Sequence, residues 1–518
     1  MSATNDVAEV VDPQLLAIRN FEGKYPKQIW FLFLAEMWER FCFYGMRGVL
    51  TVFMTEKLLM QEGAANLRYG AIQAFVYTMT FVGGFFADKI LGFRRSIVWG
   101  GLLMTVGSFT IAASPEKFFY IGTAISIIGT GFFKPNISGV VGLLYHDGDP
   151  RRDAGFSLFY SGINIGALLG GFLCFYLGDK HGWSWAFASA GAAMILGVAV
   201  FAKTASSLAS LGHSPLELRA ETAEAKSSAK RSILFVYAGS LAAIPLIQIL
   251  VSKDQYTDLF MYTVGPVALL YFLWEMSRCT PGQIKKLAAA LIYIVFSVFF
   301  WAFFEQSGGS LALVARNHVV PGDFAGITID PNAVNNTSNS LFVIAFAPLL
   351  GLLWVAMKKF EPDTTVKFGL GFIFLAGAFY IFHLLGGAAN AAGQSSLAIF
   401  TFAYLVITIG ELCLSPIGLS AMTKLSPKRL FGIIMGLWFL ASAYGQYAAG
   451  LLGAGMAEPK DGATALEKLT SYTTGYRQLA GYALICGIAL FALAPVVRRL
   501  TKDDEDAVAS SDLGKVFN

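Results

Sequence analysis

Apolar runs long enough to cross a bilayer recur along the whole chain, separated mostly by short polar turns. A crossing helix needs ~20 apolar residues to span a hydrocarbon core of ~30 Å. Fourteen stretches meet that length: 28–56, 69–92, 95–114, 118–144, 155–177, 184–203, 232–251, 258–277, 287–314, 338–357, 368–387, 396–423, 430–455 and 473–498. The pattern predicts an all-α integral membrane protein. One long polar interruption, 204–231, contains H-S-P-L-E-L-R-A-E-T-A-E-A-K-S-S-A-K-R and reads as a cytoplasmic linker or amphipathic helix. A second irregular piece, 315–336, is rich in Asn, Pro, Gly and Asp and reads as an external loop.

Basic residues set the orientation, because cytoplasmic loops carry an excess of Lys and Arg. Lys89, Arg94 and Arg95 follow span 2, and Arg151 and Arg152 follow span 4. Lys203, Arg219, Lys226, Lys230 and Arg231 follow span 6; Arg278, Lys285 and Lys286 follow span 8. Lys358, Lys359 and Lys367 follow span 10, and Lys424, Lys428 and Arg429 follow span 12. Both termini are therefore expected in the cytoplasm. Removing spans 7 and 8 leaves six plus six. The expected organisation is a cytoplasmic N-terminal segment (1–27), a six-helix bundle (28–203), a linker (204–231), an inserted two-helix hairpin (232–277), a second six-helix bundle (287–498) and a cytoplasmic tail (499–518).

Composition agrees. Of the 518 residues 55% are apolar and only 14% charged, against ~25% charged in soluble domains. Mean hydropathy is +0.59. Three or four soluble domains could not be covered with so few charges, and disorder or a disulfide scaffold is excluded as well. The net charge of +4 comes with no basic stripe for nucleic acid. Five cysteines (Cys42, Cys174, Cys279, Cys413, Cys486) are widely spaced, without C-x-x-C, and read as packing residues. Five scattered histidines form no metal box, and only His383 lies well inside a span, where it reads as structural. The first 27 residues lack an apolar h-region, so no cleavable signal peptide is expected.

The informative residues are ionisable groups inside the spans. A charge at mid-bilayer costs at least ~2.5 kcal/mol, so it faces a partner or a wet cavity. Span 1 carries Glu36, Glu39, Arg40 and Arg47; the first three, spaced i, i+3, i+4, share one helical face. Lys134 lies in span 4, Glu305 in span 9 and Glu411 in span 12. Any one could be a structural ion pair or a snorkelling group; seven together point to a polar site. Four acids face three bases. A dry site disfavours that excess charge, and one carboxyl holding a proton would remove it. Tyr44, Tyr77, Asn164, Trp301, Asn339 and Trp438 share these spans and suggest a polar cavity with aromatic walls. Pro135, Pro348 and Pro416 would free backbone groups, tolerable only where buried or wet. Glycine is clustered too, as in Gly166–Gly171 and Ala441–Gly450, which lets membrane helices approach closely.

Span 1 reads E-M-W-E-R-F-C-F-Y-G from Glu36 to Gly45. This resembles the ExxERFxYYG signature of the proton-dependent oligopeptide transporter family of the major facilitator superfamily, with Phe43 in place of the first Tyr. G-G-F-F-A-D-K-I-L-G-F-R-R (83–95), G-T-G-F-F-K-P-N-I-S (129–138), D-A-G-F-S-L-F-Y-S-G-I-N-I-G (153–166), F-W-A-F-F-E-Q-S-G-G-S-L (300–311), G-E-L-C-L-S-P-I-G-L-S-A-M-T-K-L-S-P (410–427) and G-L-W-F-L (436–440) resemble its further motifs, in order. The likeness runs nearly end to end, and bacterial members also insert a hairpin between helices 6 and 7. Before helix 8 the chain departs again: Asn336 stands at the family's Gln position and Ser340 replaces Pro, although Asn339 keeps the family's Asn.

The resemblance implies a major facilitator fold of twelve transmembrane helices in two six-helix bundles plus two extra helices, and a proton-coupled symporter that imports di- and tripeptides by alternating access. It implies that Arg40 and Lys134 take the peptide carboxylate and that Glu411 with Asn339 takes the ammonium. Asn164, Tyr44 and Tyr77 would bond the peptide backbone; Trp301, Trp438 and Phe439 would line side-chain pockets. Glu305 looks like the main proton acceptor, with Arg47 as its basic partner, while Glu36 and Glu39 exchange pairings with Arg40 and Lys134. No cofactor is expected beyond the proton gradient, and no nucleic-acid partner. The chain is expected to work as a monomer in a bacterial inner membrane. Two other classes remain at this stage: a facilitator for nitrate, a drug or a sugar, and, more distantly, a membrane-embedded enzyme, for which no nucleophile–base pair or metal box is visible.

Overall fold

The structure is a computed structural model and describes residues 13–146, 149–324, 326–457 and 462–501. The terminal segments 1–12 and 502–518, parts of the expected cytoplasmic ends, lie outside the described residues. Among the described residues, fourteen long helices follow one another in the order of the expected spans. They are α1 (Lys27–Glu56), α2 (Glu62–Phe86), α3 (Phe93–Ala113), α4 (Pro115–Leu143), α5 (Arg152–His181), α6 (Trp183–Ala205) and α7 (Ala223–Ala242, continued by Ile244–Ser252). After them come α8 (Asp254–Met276), α9 (Pro281–Phe304), α10 (Pro331–Met357), α11 (Thr364–Gly387), α12 (Leu397–Leu425), α13 (Phe431–Met456) and α14 (Ala465–Thr501). In hydrocarbon every backbone N–H and C=O must be satisfied within the segment, which is why apolar runs of this length become helices. Eleven are apolar and long enough to cross a membrane by length and composition alone. The other three, α1, α4 and α13, have 30, 29 and 26 residues.

Helix starts are written in the sequence as caps. Asp330 accepts from the N–H groups of Asn332 (2.7 Å) and Ala333 (3.2 Å) with Pro331 first in α10. Thr280 and Gln283 cap each other ahead of Pro281 at the start of α9. Such caps satisfy N–H groups that have no intrahelical partner.

Within the polar stretch 204–231, read as a linker or amphipathic helix, residues 223–231 form the first turns of α7, capped by Thr222; their Ala, Glu and Lys residues are strong helix formers. Two local expectations are corrected. Segment 315–336 is not an irregular loop throughout. It holds the end of a helix (Ser310–His318) and an antiparallel hairpin pairing Gly322 with Ile329 and Asp323 with Thr328, and then α10 begins. Span 287–314 is not continuous either. After Phe304 the chain makes a 3-10 turn, Glu305–Gly308, before the helix resumes at Ser310. Gly308 and Gly309 lie at the break, and a Cβ on Gly308 would collide with the Tyr69 hydroxyl, so glycine there lets α2 approach closely.

The chain forms two compact units. The first comprises the described parts of Met1–Gly45, Met79–Gly170 and Ser184–Leu246. Inside it, glycines bring α3 and α4 into backbone contact. A Cβ on Gly129 would stand 2.7 Å from the Gly100 carbonyl and the Met104 nitrogen, and one on Gly107 would stand 2.6 Å from the Gly122 carbonyl. Because the atoms in the way are backbone, Gly129→Ala is expected to destabilise the protein by about 1–3 kcal/mol. An unchanged melting midpoint of the purified variant in detergent would mean the two helices separate without cost. Beneath α3, Arg94 donates to the Leu211 carbonyl (2.6 Å) and Arg95 pairs with Glu217 (2.6 Å), pinning the linker. In the α4–α5 turn, hydrogen bonds from Arg151 hold the Asp149 carboxyl below the usual carboxylate range.

The second unit comprises Met46–Thr78, Gly171–Trp183 and the described part of Ile247–Asn518. Its apolar core includes Phe300, Phe368, Phe372, Phe379, Phe382 and Tyr404. The Tyr444 hydroxyl donates to the Met261 carbonyl and accepts from the Gly265 N–H (2.7 Å). It thereby inserts into the backbone ladder of α8 just before Pro266 and fastens that helix to α13.

Candidate functional site

Each unit carries its own buried polar cluster. In the first unit the i, i+3, i+4 spacing on α1 puts Glu36, Glu39 and Arg40 on one face, at 3%, 0% and 2% exposure. Arg40 Nε lies 2.9 Å from Glu36 Oε1 and 2.5 Å from Glu39 Oε2. Lys134, from α4 beside the helix-interior Pro135, is near enough to act electrostatically on both carboxylates. The Arg40 guanidinium and the Lys134 ammonium lie 5.5 Å and 5.6 Å from the centroid of the Phe43 ring, within cation–π range of a ring that carries no hydroxyl. Two acids meet two bases, and the cluster is formally neutral.

Arg40 is held close to α5 because Gly166 has no side chain: a Cβ there would stand 2.9 Å from Arg40 Cβ and collide with the Met37 carbonyl. Two residues earlier on that helix, Asn164 donates to the Tyr160 carbonyl (3.0 Å). Tyr44 meets Phe43 edge-on, with ring centroids 5.2 Å apart.

The second unit holds the lower turns of α1, and with them Arg47. Its guanidinium bonds Glu305, the Ser307 hydroxyl (3.3 Å) and the Tyr69 hydroxyl (2.6 Å). Glu305 opens the 3-10 break of α9 and is 3% exposed. On α12, Glu411 accepts from Asn339 Nδ2 (2.7 Å), which also donates to the Thr408 hydroxyl (3.2 Å). Arg47 and Glu305 both act electrostatically on Glu411. Two acids therefore share one base, and the formal excess of one carboxylate counted in the sequence falls in this unit.

The aromatic residues are placed differently. Trp301 stands edge-on to Phe300 and Phe304, with α13 close behind it at Gly445. Trp438 is buried over Gly418. Phe439 is half-buried, and Tyr77 packs on the small cluster of Ala74, Met261, Ala443 and Tyr447. His383 bonds the Thr473 carbonyl through Nδ1 (2.8 Å), a structural role. Among the described residues the five cysteines form no disulfide. Among the described residues no group of three His, Cys, Asp or Glu side chains could hold a metal ion.

Several polar residues around the second cluster escape a reading of the residues alone: Tyr69, Ser307, Asn335 and Tyr404. One signal was available. Tyr404, Thr408 and Glu411 are spaced i, i+4, i+7 and so line one face of α12. Also missed was the pairing of Arg316 with Glu56 (2.7 Å) and Asp179 (2.9 Å).

Comparison with known proteins shows the family and the fold. Residues 94–470 match the family model described as the POT family. Among curated proteins the chain is similar to peptide transporter YePEPT of Yersinia enterocolitica subsp. palearctica serotype O:3 (strain YE-P4), at 33% identity over 94% of this chain and 97% of the relative. It is 28% identical to dipeptide and tripeptide permease A of Escherichia coli (strain K12), covering 93% of this chain and 94% of that one. Among solved structures it resembles peptide transporter POT in complex with sulfate, with a TM-score of 0.78 and 31% identity over 94% of this chain and 97% of that chain. A mutant of a peptide transporter POT in complex with alafosfalin gives a TM-score of 0.81 and 30% identity over 95% and 99%. The fold is thus the major facilitator type of these peptide transporters, and the fourteen long helices of the described residues are consistent with twelve to fourteen spans. The chain belongs to the POT family, the proton-dependent oligopeptide transporters, and is a multi-pass membrane transporter rather than an enzyme.

Proposed function

We propose that the chain imports di- and tripeptides together with protons, by alternating access, across a bacterial inner membrane in which both termini face the cytoplasm and the monomer is the working unit. The observation that carries the reading is the division of charge: a cationic pair, Arg40 and Lys134, in one buried cluster, and an excess carboxylate beside Asn339 in the other. A zwitterionic peptide needs both. Its C-terminal carboxylate competes with Glu36 and Glu39 for the two cations through charge-assisted hydrogen bonds. Its ammonium binds Glu411, with Asn339 orienting the carboxylate. Asn164, Tyr44 and Tyr77 meet the backbone common to all peptides, and Trp301, Trp438 and Phe439 border the side chains.

Coupling follows from the same charges. A peptide carboxylate on Arg40 and Lys134 leaves Glu36 and Glu39 short of a cation, and a proton restores neutrality. Protonation of Glu305 releases Arg47 in the same way. Proton and substrate binding are therefore linked, each favouring the other. Proton-driven uptake of labelled dialanine into liposomes tests the reading directly; no accumulation, or equal competition by nitrate or a sugar, would refute it.

The anionic end has its own test. Glu411→Gln removes a charge while keeping shape and hydrogen-bonding capacity, and N-acetylation of dialanine removes the opposite charge. Each is expected to weaken binding by about 1.5–3 kcal/mol. Together they should cost much less than the sum, because both delete one contact. Calorimetry in detergent on the four combinations measures this; strictly additive losses would mean that Glu411 does not touch the ammonium.

A further inference from the structure

We propose that Asn335, Asn336 and Tyr404 are positioning residues of the proton-coupling site, holding the backbones of both partners of the Arg47–Glu305 pair and tying that pair to the Glu411 site. The proposal rests on the reading above, in which Glu305 carries the coupling proton and Glu411 receives the peptide ammonium.

Two neighbouring amides on α10 reach in different directions. Asn336 Nδ2 donates to the carbonyl of Gly48, the residue after Arg47, at 3.2 Å. Asn335 Nδ2 donates to the carbonyl of Ser307, two residues after Glu305, at 2.8 Å, and its second proton reaches Asn336 Oδ1 at 3.3 Å. One dipeptide thus spans the ion pair from behind, gripping α1 on one side and the broken turn of α9 on the other. The break leaves carbonyls without helical partners, and Asn335 satisfies one of them. Ser307 in turn bonds Arg47 through its hydroxyl, so the gripped segment contacts the pair from both ends.

The fit is tight on the α1 side. A Cβ on Gly48 would stand 2.9 Å from Cγ and Oδ1 of Asn336, so only glycine leaves room for the amide. On the far side, the Tyr404 hydroxyl donates to Asn335 Oδ1 at 2.5 Å, with Tyr404 1% and Asn335 4% exposed. Tyr404 then leads along α12. Its carbonyl accepts from the Thr408 hydroxyl (2.7 Å), which accepts from Asn339, the residue that holds Glu411. Asn335 and Asn339 on α10 face Tyr404, Thr408 and Glu411 on α12 as rungs of one ladder. A ladder with two arrangements transmits a change at one carboxylate to the other; a loose one would let Glu305 protonate without consequence.

The experiment measures proton-driven accumulation, counterflow and the pH dependence of dialanine uptake in liposomes. The variants are Tyr404→Phe, Asn335→Ala and Gly48→Ala, the last displacing the Asn336 amide without altering it. Each is made in the wild type and in Glu305→Gln. In the wild type, each is expected to lower the ratio of accumulation to counterflow by about tenfold, the loss of one buried hydrogen bond to the site, and to move the midpoint of the pH profile. In Glu305→Gln, where the proton step is already gone, none should lower counterflow further. Tyr404→Phe keeps the ring in the core and guards against simple misfolding of Asn335→Ala. Coupled, wild-type-like accumulation in all three variants overturns the proposal, as does an equal loss of counterflow with and without Glu305, the mark of a merely structural role. Failure of the underlying reading is separately visible, because Glu305→Gln alone would then still accumulate peptide, and the positioning proposal falls with it.

Discussion

Glu305→Gln is expected to abolish proton-driven accumulation of dialanine while peptide counterflow, which needs no net proton movement, continues. Gln has the shape and hydrogen-bonding capacity of a protonated glutamic acid but cannot lose the proton. The carboxylate is 3% exposed and pairs with Arg47 at the start of the α9 break. In that setting neither charge is stable alone: removing one member of a buried ion pair costs about 3–5 kcal/mol. The wild type can meet that cost only by moving a proton, and so protonation and the release of Arg47 occur together. In the variant Arg47 is released permanently and Glu411 becomes the neighbouring acid. Exchange of peptide for peptide still runs, but no gradient is harvested. Normal accumulation by the variant would remove Glu305 from the coupling step.

Loss of the cationic end should be as severe and differently distributed. Amidating the C-terminus of dialanine is expected to weaken its binding to the wild type by about 1.5–3 kcal/mol, the worth of a hydrogen bond to a charged group. Lys134→Ala should weaken the free peptide by a similar amount and the amidated peptide little. Arg40→Ala should do the same and also lower stability, because Glu36 and Glu39, both buried within 3 Å of Arg40 Nε, lose their closest cation. Arg40→Lys, which keeps the charge but not the planar fork, should recover stability before it recovers affinity. Competition binding with free and amidated dialanine decides the matter. Equal affinities in the wild type would mean that neither Arg40 nor Lys134 holds the peptide carboxylate.

The sequence by itself determined how many helices there are, where most begin, and which spans carry charges. The cause is local: twenty apolar residues cannot leave their backbone unpaired in hydrocarbon, and caps such as Asp330 and Thr280 act within three residues of themselves. The grouping of Glu36, Glu39 and Arg40 was legible for the same reason, since a spacing of three and four residues on α1 admits one geometry. The family resemblance added roles to these residues. What the residues could not disclose is everything that depends on a partner far along the chain. Arg47 and Glu305 are 258 positions apart, and their pairing depends on a break in α9 that the apolar pattern runs straight through. At that break Tyr69 closes on Gly308, a contact between helices with no periodic signature. Likewise the count of four acids and three bases was visible, but not its division into a neutral cluster and one with a surplus carboxylate. Nor was the ladder from Asn335 to Glu411 visible: the spacing of Tyr404, Thr408 and Glu411 puts them on one face of α12, but does not say that α10 lies beside that face. Local hydrogen bonding and hydrophobicity are written along the chain; the pairing of buried charges is settled only when packing removes the water that would otherwise have satisfied them.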